Sequence, residues 1–484
     1  MRKTFVLTLC FAVLSVVCIC LAYGEFVPKH DEVVITQNVL YGDPTEAEGV
    51  TVELSTHYNY HLFWDTEYVV GKEPKTETEY DFSAKEKYSH GDFEYRGIQV
   101  FSNFEFGMNL NNPDPRGIEK AYHELFEQAE PGQELEKEIY LADYCEYYPL
   151  RMEIDLENCP LHWVHNVYER DDVSIGPQIL HYDGRNTGYF EVFEDYFRIP
   201  VLDEETLQIH VRKGINGGIN GSGGGWGSGD SDRFDMYSLT AIGNDNCFFV
   251  FDAHSFEGKV MDMSLLPDGY GIFAIPYFIN EEGTTDIDPY SLDMIYELDP
   301  EHWISNFFIT DDKSKLLLFT VENGMLMLTV VDAQSYEKLQ KTEICAVEDY
   351  NHIYDYHVHD DFIVISHSDG LLSVISLEDG GYEYQFTVKR GVDVGDTVYP
   401  VDYLKITADM DYDHESDKLL IADSMENQTG GWNMTADFYL SVYDETGMTY
   451  HGTYTSSLTT GGRSDDYDYF VRNTDAEYIS AQFN

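Results

Sequence analysis

The residues with the richest chemistry lie in NHIYDYHVHDDFIVISHSDG, residues 351–370. His352, His357, His359 and His367 stand there among Asp355, Asp360 and Asp361. Imidazole with carboxylate suits zinc or another transition metal, and carboxylates alone suit calcium. A second run, Asp409, Asp411 and Asp413, places a carboxylate at every other residue. Side chains alternate faces along a strand. Asp355, His357 and His359 therefore share one face of a strand over 353–359, and the three aspartates share one face of a strand over 407–413. If these are the innermost strands of neighbouring units around a central channel, the six side chains form a candidate metal site for zinc or calcium. The aspartate run is not an EF-hand, because His414 stands where the loop needs glycine and Leu420 where it needs glutamate. A polar channel wall, or packing between units with each histidine hydrogen-bonded, accounts for the same residues without a cation. His367 precedes a turn and His352 falls on the opposite face, so both read as surface residues.

Two tryptophans sit in glycine-rich surroundings. Trp226 lies within KGINGGINGSGGGWGSGDSD (213–232) and Trp432 within NQTGGWNMT (427–435). An exposed indole on a loop stacks on a sugar or a partner surface, so both are candidate ligand contacts. The glycine run has no G-K-[ST] and no strand-to-helix context, which excludes a phosphate loop. G-x-S-x-G and H-E-x-x-H are absent. Carboxylates are too frequent for a chosen pair to argue for a glycosidase.

The elements that position these residues repeat along the chain. ISNFFITDDKSKLLLF (304–319) aligns without a gap with TADMDYDHESDKLLIA (407–422), and IYDYHVHDD (353–361) matches ISNFFITDD. The copies start about 50 residues apart, the spacing of a four-stranded propeller blade. LFTVENGMLMLTVVDAQS (318–335) parallels VISHSDGLLSVISLEDG (364–380). Both read as hairpins turning at Asn323-Gly324 and Asp369-Gly370, dipeptides that favour tight turns with positive φ. DPRGIEKAYHELFEQAEPG (114–132) instead has Ile118, Ala121, Leu125 and Ala129 at helical spacing, which predicts one short surface helix.

The repeated units resemble blades of secreted bacterial β-propellers of the WD40-like or YVTN-like kind, in which an apolar strand, a V-x-D strand end and a polar turn recur. The resemblance covers residues 300–460 and extends more weakly over 247–277. It implies an all-β fold, a β-propeller of about seven four-stranded blades, with blades over 201–484. Residues 25–200 are strand-rich and form either the first blades or a separate β domain. Repeated Gly-His to Trp-Asp spacing and the S-x-D-x-G-x-T-W box are missing, so no catalytic residue carries over.

Composition limits what such a scaffold does. Arg2 and Lys3 precede an apolar run from Phe5 to Ala22, which predicts a secretory signal peptide over 1–24, with an uncleaved N-terminal membrane anchor as the alternative. The full chain carries 29 Lys and Arg against 89 Asp and Glu, a formal charge of −60. Nucleic acid and anionic membrane surfaces repel such a chain. Calcium and basic peptides remain attractive to it. With 38 Tyr and 28 Phe it has ample material for a core. Past residue 24 the cysteines are Cys145, Cys159, Cys247 and Cys345. They are too few and too scattered for a disulfide framework, although a Cys145–Cys159 bridge is geometrically open. The expectation is a secreted, non-enzymatic platform for an extracellular protein, peptide or glycan. A metal-dependent hydrolase or lyase built on Asp355, His357 and His359 is the alternative.

Overall fold

The computed structural model describes residues 11–21, 33–58, 62–80, 97–101, 117–144, 146–147, 151–155, 163–166, 178–181, 196–218, 237–252, 262–279, 285–347, 353–378, 380–394, 397–399, 408–426, 434–460 and 474–484. The chain is all-β and built from blades of the propeller type. Its described residues form six sheets of four or five antiparallel strands. The three repeat copies are three such sheets. The first contains Trp303–Ile309, Lys315–Glu322, Met325–Asp332 and Lys338–Ala346, paired in chain order. The second contains Ile353–Val358, Phe362–His367, Leu371–Glu378 and Gly381–Lys389. The third contains Asp409–Asp413, Lys418–Glu426, Met434–Asp444 and Gly447–Ser456. In each copy the strand that opens the repeat is an edge strand of its own sheet.

The chain divides into two compact units, one of 1–90, 353–357 and 361–484, the other of 91–352 and 358–360. In the first unit the 409–456 sheet is buried on both faces. Leu419 and Ile421 pack with Phe362, Val364, Leu372 and Phe386 of the 353–389 sheet. Leu420 and Ala422, pointing the other way, pack with Val52, Leu54, Tyr68 and Ile479. Phe438 and Tyr454 stack there with centroids 4.9 Å apart and planes 2° from parallel. A strand covered on both faces needs apolar residues at consecutive positions. That is why LLIA (419–422) and FIVI (362–365) read as unbroken apolar runs rather than as alternations.

The two ends of the chain enter this unit differently from the repeats. Thr474–Gln482 pairs antiparallel with Thr51–Tyr58, which continues into Leu62–Val69 and Lys75–Tyr80. One sheet is thus made of three strands from the start of the sequence and one from its end. Ile35–Gly42 adds a fifth strand to the 409–456 sheet by pairing with Gly447–Ser456. Gly42 closes that strand at φ +77°, and a Cβ there would run into the backbone of Thr449.

The second unit holds the predicted helix, now bounded as Gly117–Gln128. Its face carrying Ala121, Tyr122, Leu125 and Phe126 is buried in a core shared with Ile139, Ile209 and Val211 of a two-stranded sheet, Glu134–Tyr140 with Thr206–Arg212. The helix and Glu134–Tyr140 lie in sequence between Gly97–Phe101 and Arg151–Asp155, which are neighbours in a four-stranded sheet. A non-blade insertion therefore lies between two paired strands of one four-stranded sheet.

The two hairpin turns differ. Asn323 and Gly324 both take positive φ, 52° and 79°, the two-residue turn that matches strand twist. At Asp369-Gly370 only Gly370 does so, at 82°, and its N–H donates to His367 O at 3.1 Å. The strand ends at His367, which leaves three loop residues. Three-residue loops put a left-handed glycine last.

Candidate functional site

Asp355 and His357 emerge on one face of Ile353–Val358. One Asp355 oxygen accepts a hydrogen bond from Tyr356 N–H at 2.8 Å. The other lies 3.8 Å from His357 Nε2, and His357 is buried. His359 follows the strand and is half-buried. Asp360, in the next turn, accepts from Asp311 N–H at 2.8 Å.

Asp409 and Asp411 do share a face of Asp409–Asp413, and the structure brings them together on one neighbour. Ala481 N–H donates to Asp409 Oδ2 and Phe483 N–H donates to Asp411 Oδ2, both at 2.6 Å. The two carboxylates thus satisfy alternate backbone donors along the edge of the C-terminal strand, donors that an edge otherwise leaves open. Burial raises the Asp411 pKa, opposed by hydrogen bonds from Phe483 and Tyr412 N–H, with the Asp361 and Asp409 charges adding to the rise. Asp413 does separate work: it holds the following turn, accepting from Ser416 Oγ at 2.5 Å and Glu415 N–H at 2.9 Å. Those bonds lower its pKa. Among the described residues, no three or more His, Cys, Asp or Glu side chains are grouped so as to hold a metal ion. Trp226, Trp432, Cys145 and Cys159 lie outside the described residues. Cys247 is a buried free thiol.

Other polar groups meet where the sequence gave little warning. His367, read as a surface residue, is buried. Its Nε2 lies 2.8 Å from Ser373 Oγ, which lies 2.7 Å from Thr387 Oγ1. The reading failed because this sheet has no solvent face at that strand: all six residues of Phe362–His367 are buried. Ser441 Oγ lies 2.9 Å from His451 Nδ1, beside Tyr439, whose hydroxyl donates to Asp423 at 3.1 Å. A serine on a histidine has the parts of a nucleophile and base. Both are buried here, Ser441 fully, and burial lowers the His451 pKa to about 4. The pair is an internal hydrogen bond of the sheet. On the surface, His414 sits between two carboxylates, with Nδ1 3.3 Å from Glu378 and Nε2 3.2 Å from Asp361. The signal for it was in the repeat alignment, where His414 replaces Asp311 in the first turn.

The second unit has an open cleft of about 360 Å³ lined by Ala142, Asp143, Tyr144, Glu146, Val201 and Asp203. It follows the insertion helix, and Tyr144 donates its hydroxyl back to Glu124 on that helix at 3.3 Å. Three carboxylates line a concave surface here with no lysine or arginine among them. Such a surface attracts an ammonium or guanidinium group.

No family model matches the chain, and no curated protein matches it. Among solved structures it is similar to the propeller domain of Myceliophteria thermophila Cps50 (Swd1), at 8% identity and TM-score 0.22, over 62% of this chain and 81% of that one. It is similar to Kluyveromyces lactis Hsv2 at 8% identity and TM-score 0.24, over 62% of this chain and 91% of that one. A chain of the mitotic checkpoint complex matches at 9% identity and TM-score 0.22 over 44% of this chain, which spans only 50% of that one. The sheet topology carries the fold assignment.

Proposed function

We propose that the protein is a secreted, non-enzymatic binding platform whose partner is a basic protein or peptide. The observation that carries this reading is the cleft of Asp143, Glu146 and Asp203 in a chain of formal charge −60. A Lys or Arg side chain fits the chemistry of the cleft, and the field of the whole chain speeds its approach. The helix Gly117–Gln128 and the two-stranded sheet beside it, packed in one core, support the cleft, which keeps the ordering cost of binding low. Secretion rests on the N-terminal pattern of Arg2 and Lys3 before an apolar run. Among the described residues no helix is long and apolar enough to cross a membrane.

Binding of a fluorescent Lys/Arg-rich peptide tests the reading. Replacing Asp143, Glu146 and Asp203 together with their amides should weaken binding about tenfold or more at low salt, since each lost charge pair is worth up to about 1 kcal/mol on an exposed surface. Added salt should weaken the wild type and erase the difference. Equal affinity of wild type and triple variant removes the cleft from the reading. The hydrolase alternative predicts that zinc or calcium raises the melting temperature, and that His357→Ala with His359→Ala abolishes the zinc effect.

A further inference from the structure

In the three repeat copies the edge strand is supplied by the chain immediately before its neighbour. In the sheet built on Thr51–Tyr58 that place is filled from the far end of the sequence, by Thr474–Gln482. The slot is bounded on one side by the Thr51–Tyr58 ladder and on the other by the Asp409 and Asp411 carboxylates. Its occupant inserts two buried side chains, Ile479 and Ala481, into the core. The Asn484 amide closes the end, donating to Gly49 O and to Thr51 Oγ1. Every one of these contacts is a property of residues 474–484 and of the slot. None depends on the connection that leads to the strand.

We propose that this slot is a strand-acceptor site, and that residues 474–484 of a second copy of the chain enter it in place of the chain's own. The recognition is β-addition: a ladder supplies affinity, and the buried apolar positions 479 and 481 supply the register. The carboxylates add a requirement that ordinary strand addition lacks, free backbone N–H groups two residues apart at 481 and 483. The link from Thr460 to Thr474 is 13 residues, 461–473. It keeps the chain's own segment at high effective concentration, so exchange is slow until that link is cut or the protein is concentrated. Identical contacts in either arrangement are the condition for exchanging an element between copies.

The full-length chain with a specific protease site inserted at 466–467 is purified folded and then cut. The expected result is that the tail stays bound through gel filtration. A fluorescent synthetic peptide TDAEYISAQFN, the tail of a second copy, should then replace it over hours. Asp409→Ala with Asp411→Ala should speed replacement roughly tenfold, because the Ala481 and Phe483 N–H groups lose their acceptors. A labelled peptide with N-methyl groups at Ala481 and Phe483 should fail to enter. The proposal is overturned if TDAEYISAQFN does not enter the cut protein, if the N-methylated peptide enters as well, or if the double variant exchanges at the wild-type rate.

Discussion

The 353–389 sheet and the sheet of 51–80 with 474–482 have the same four-stranded pattern but opposite connectivity. In the first, every strand pairs with its neighbour in sequence. In the second, one pairing joins residues more than 400 positions apart. The first can form from local hairpins, while the second must close most of the chain before it gains its last ladder. The comparison teaches that strand content is set locally, whereas completion of the last sheet is set by the chain ends and by two aspartates from a neighbouring sheet.

The largest expected effect follows from breaking that closure. Deleting 474–484 removes a ladder and the Ile479 and Ala481 contacts, a loss on the order of 5–10 kcal/mol. That equals the whole stability of many domains, so the truncated chain should lose the first unit's share of the near-UV circular dichroism at 25 °C. Retained native signal would show that the first unit stands without its C-terminal strand. Phe438→Ala tests the centre of the same unit. It removes the ring stacked on Tyr454 and should cost about 3–5 kcal/mol by urea denaturation.

The repeat was legible because each copy is local. ISNFFITDDKSKLLLF and TADMDYDHESDKLLIA carry their strands and first turn within sixteen residues, and the helix carried its own period. What was not legible depends on distance. Nothing near Asp409 or Asp411 announces that Ala481 and Phe483 will present their N–H groups; the face was read correctly, and its partner lay 72 residues away. His367 misled for a related reason: a place just before a turn suggests exposure, yet all six residues of Phe362–His367 are buried. The acidic cleft draws on Asp143 and Glu146 from one segment and Asp203 from another, which the insertion brings together.

Acid should separate the buried from the exposed histidines. The His451 pKa is about 4 in the folded chain and about 6.5 when unfolded. Between those values the unfolded chain binds the extra proton, so stability falls as pH drops from 6.5 to 4, by about 3 kcal/mol. Urea midpoints of wild type and His451→Gln at pH 7.5 and 4.5 check this, and the variant should lose less on acidification. A smaller effect is expected at Asp411. Its raised pKa means that folding disfavours the charge, so Asp411→Asn should cost less in urea than Asp411→Ala, which leaves the Phe483 N–H without its acceptor.

The smallest effect sharpens the comparison at the first turns. The link from Asp311 N–H to Asp360 joins a backbone donor to a carboxylate, and its donor does not titrate. The equivalent turn in the 409–456 sheet uses His414 between Glu378 and Asp361. Partial burial works against charge on the ring, but hydrogen bonds and attraction from those two carboxylates outweigh it and raise its pKa. A histidine with a raised folded pKa stabilises the fold fully below its unfolded pKa, near 6.5, and that contribution fades as pH rises through the folded value. His414→Gln should therefore lower the melting temperature at pH 6 and leave it unchanged at pH 9. Asp360→Asn should give the same shift at both, because the Asp311 N–H it holds does not titrate. Hydrogen exchange at Asp413–Asp417 supplies the local readout, with faster exchange at pH 9 than intrinsic rates require in the wild type but no such difference in the variant. A His414→Gln effect that is equal at pH 6 and pH 9 would mean that the ring packs on Tyr412, 5.0 Å away, and that its two carboxylate neighbours contribute nothing.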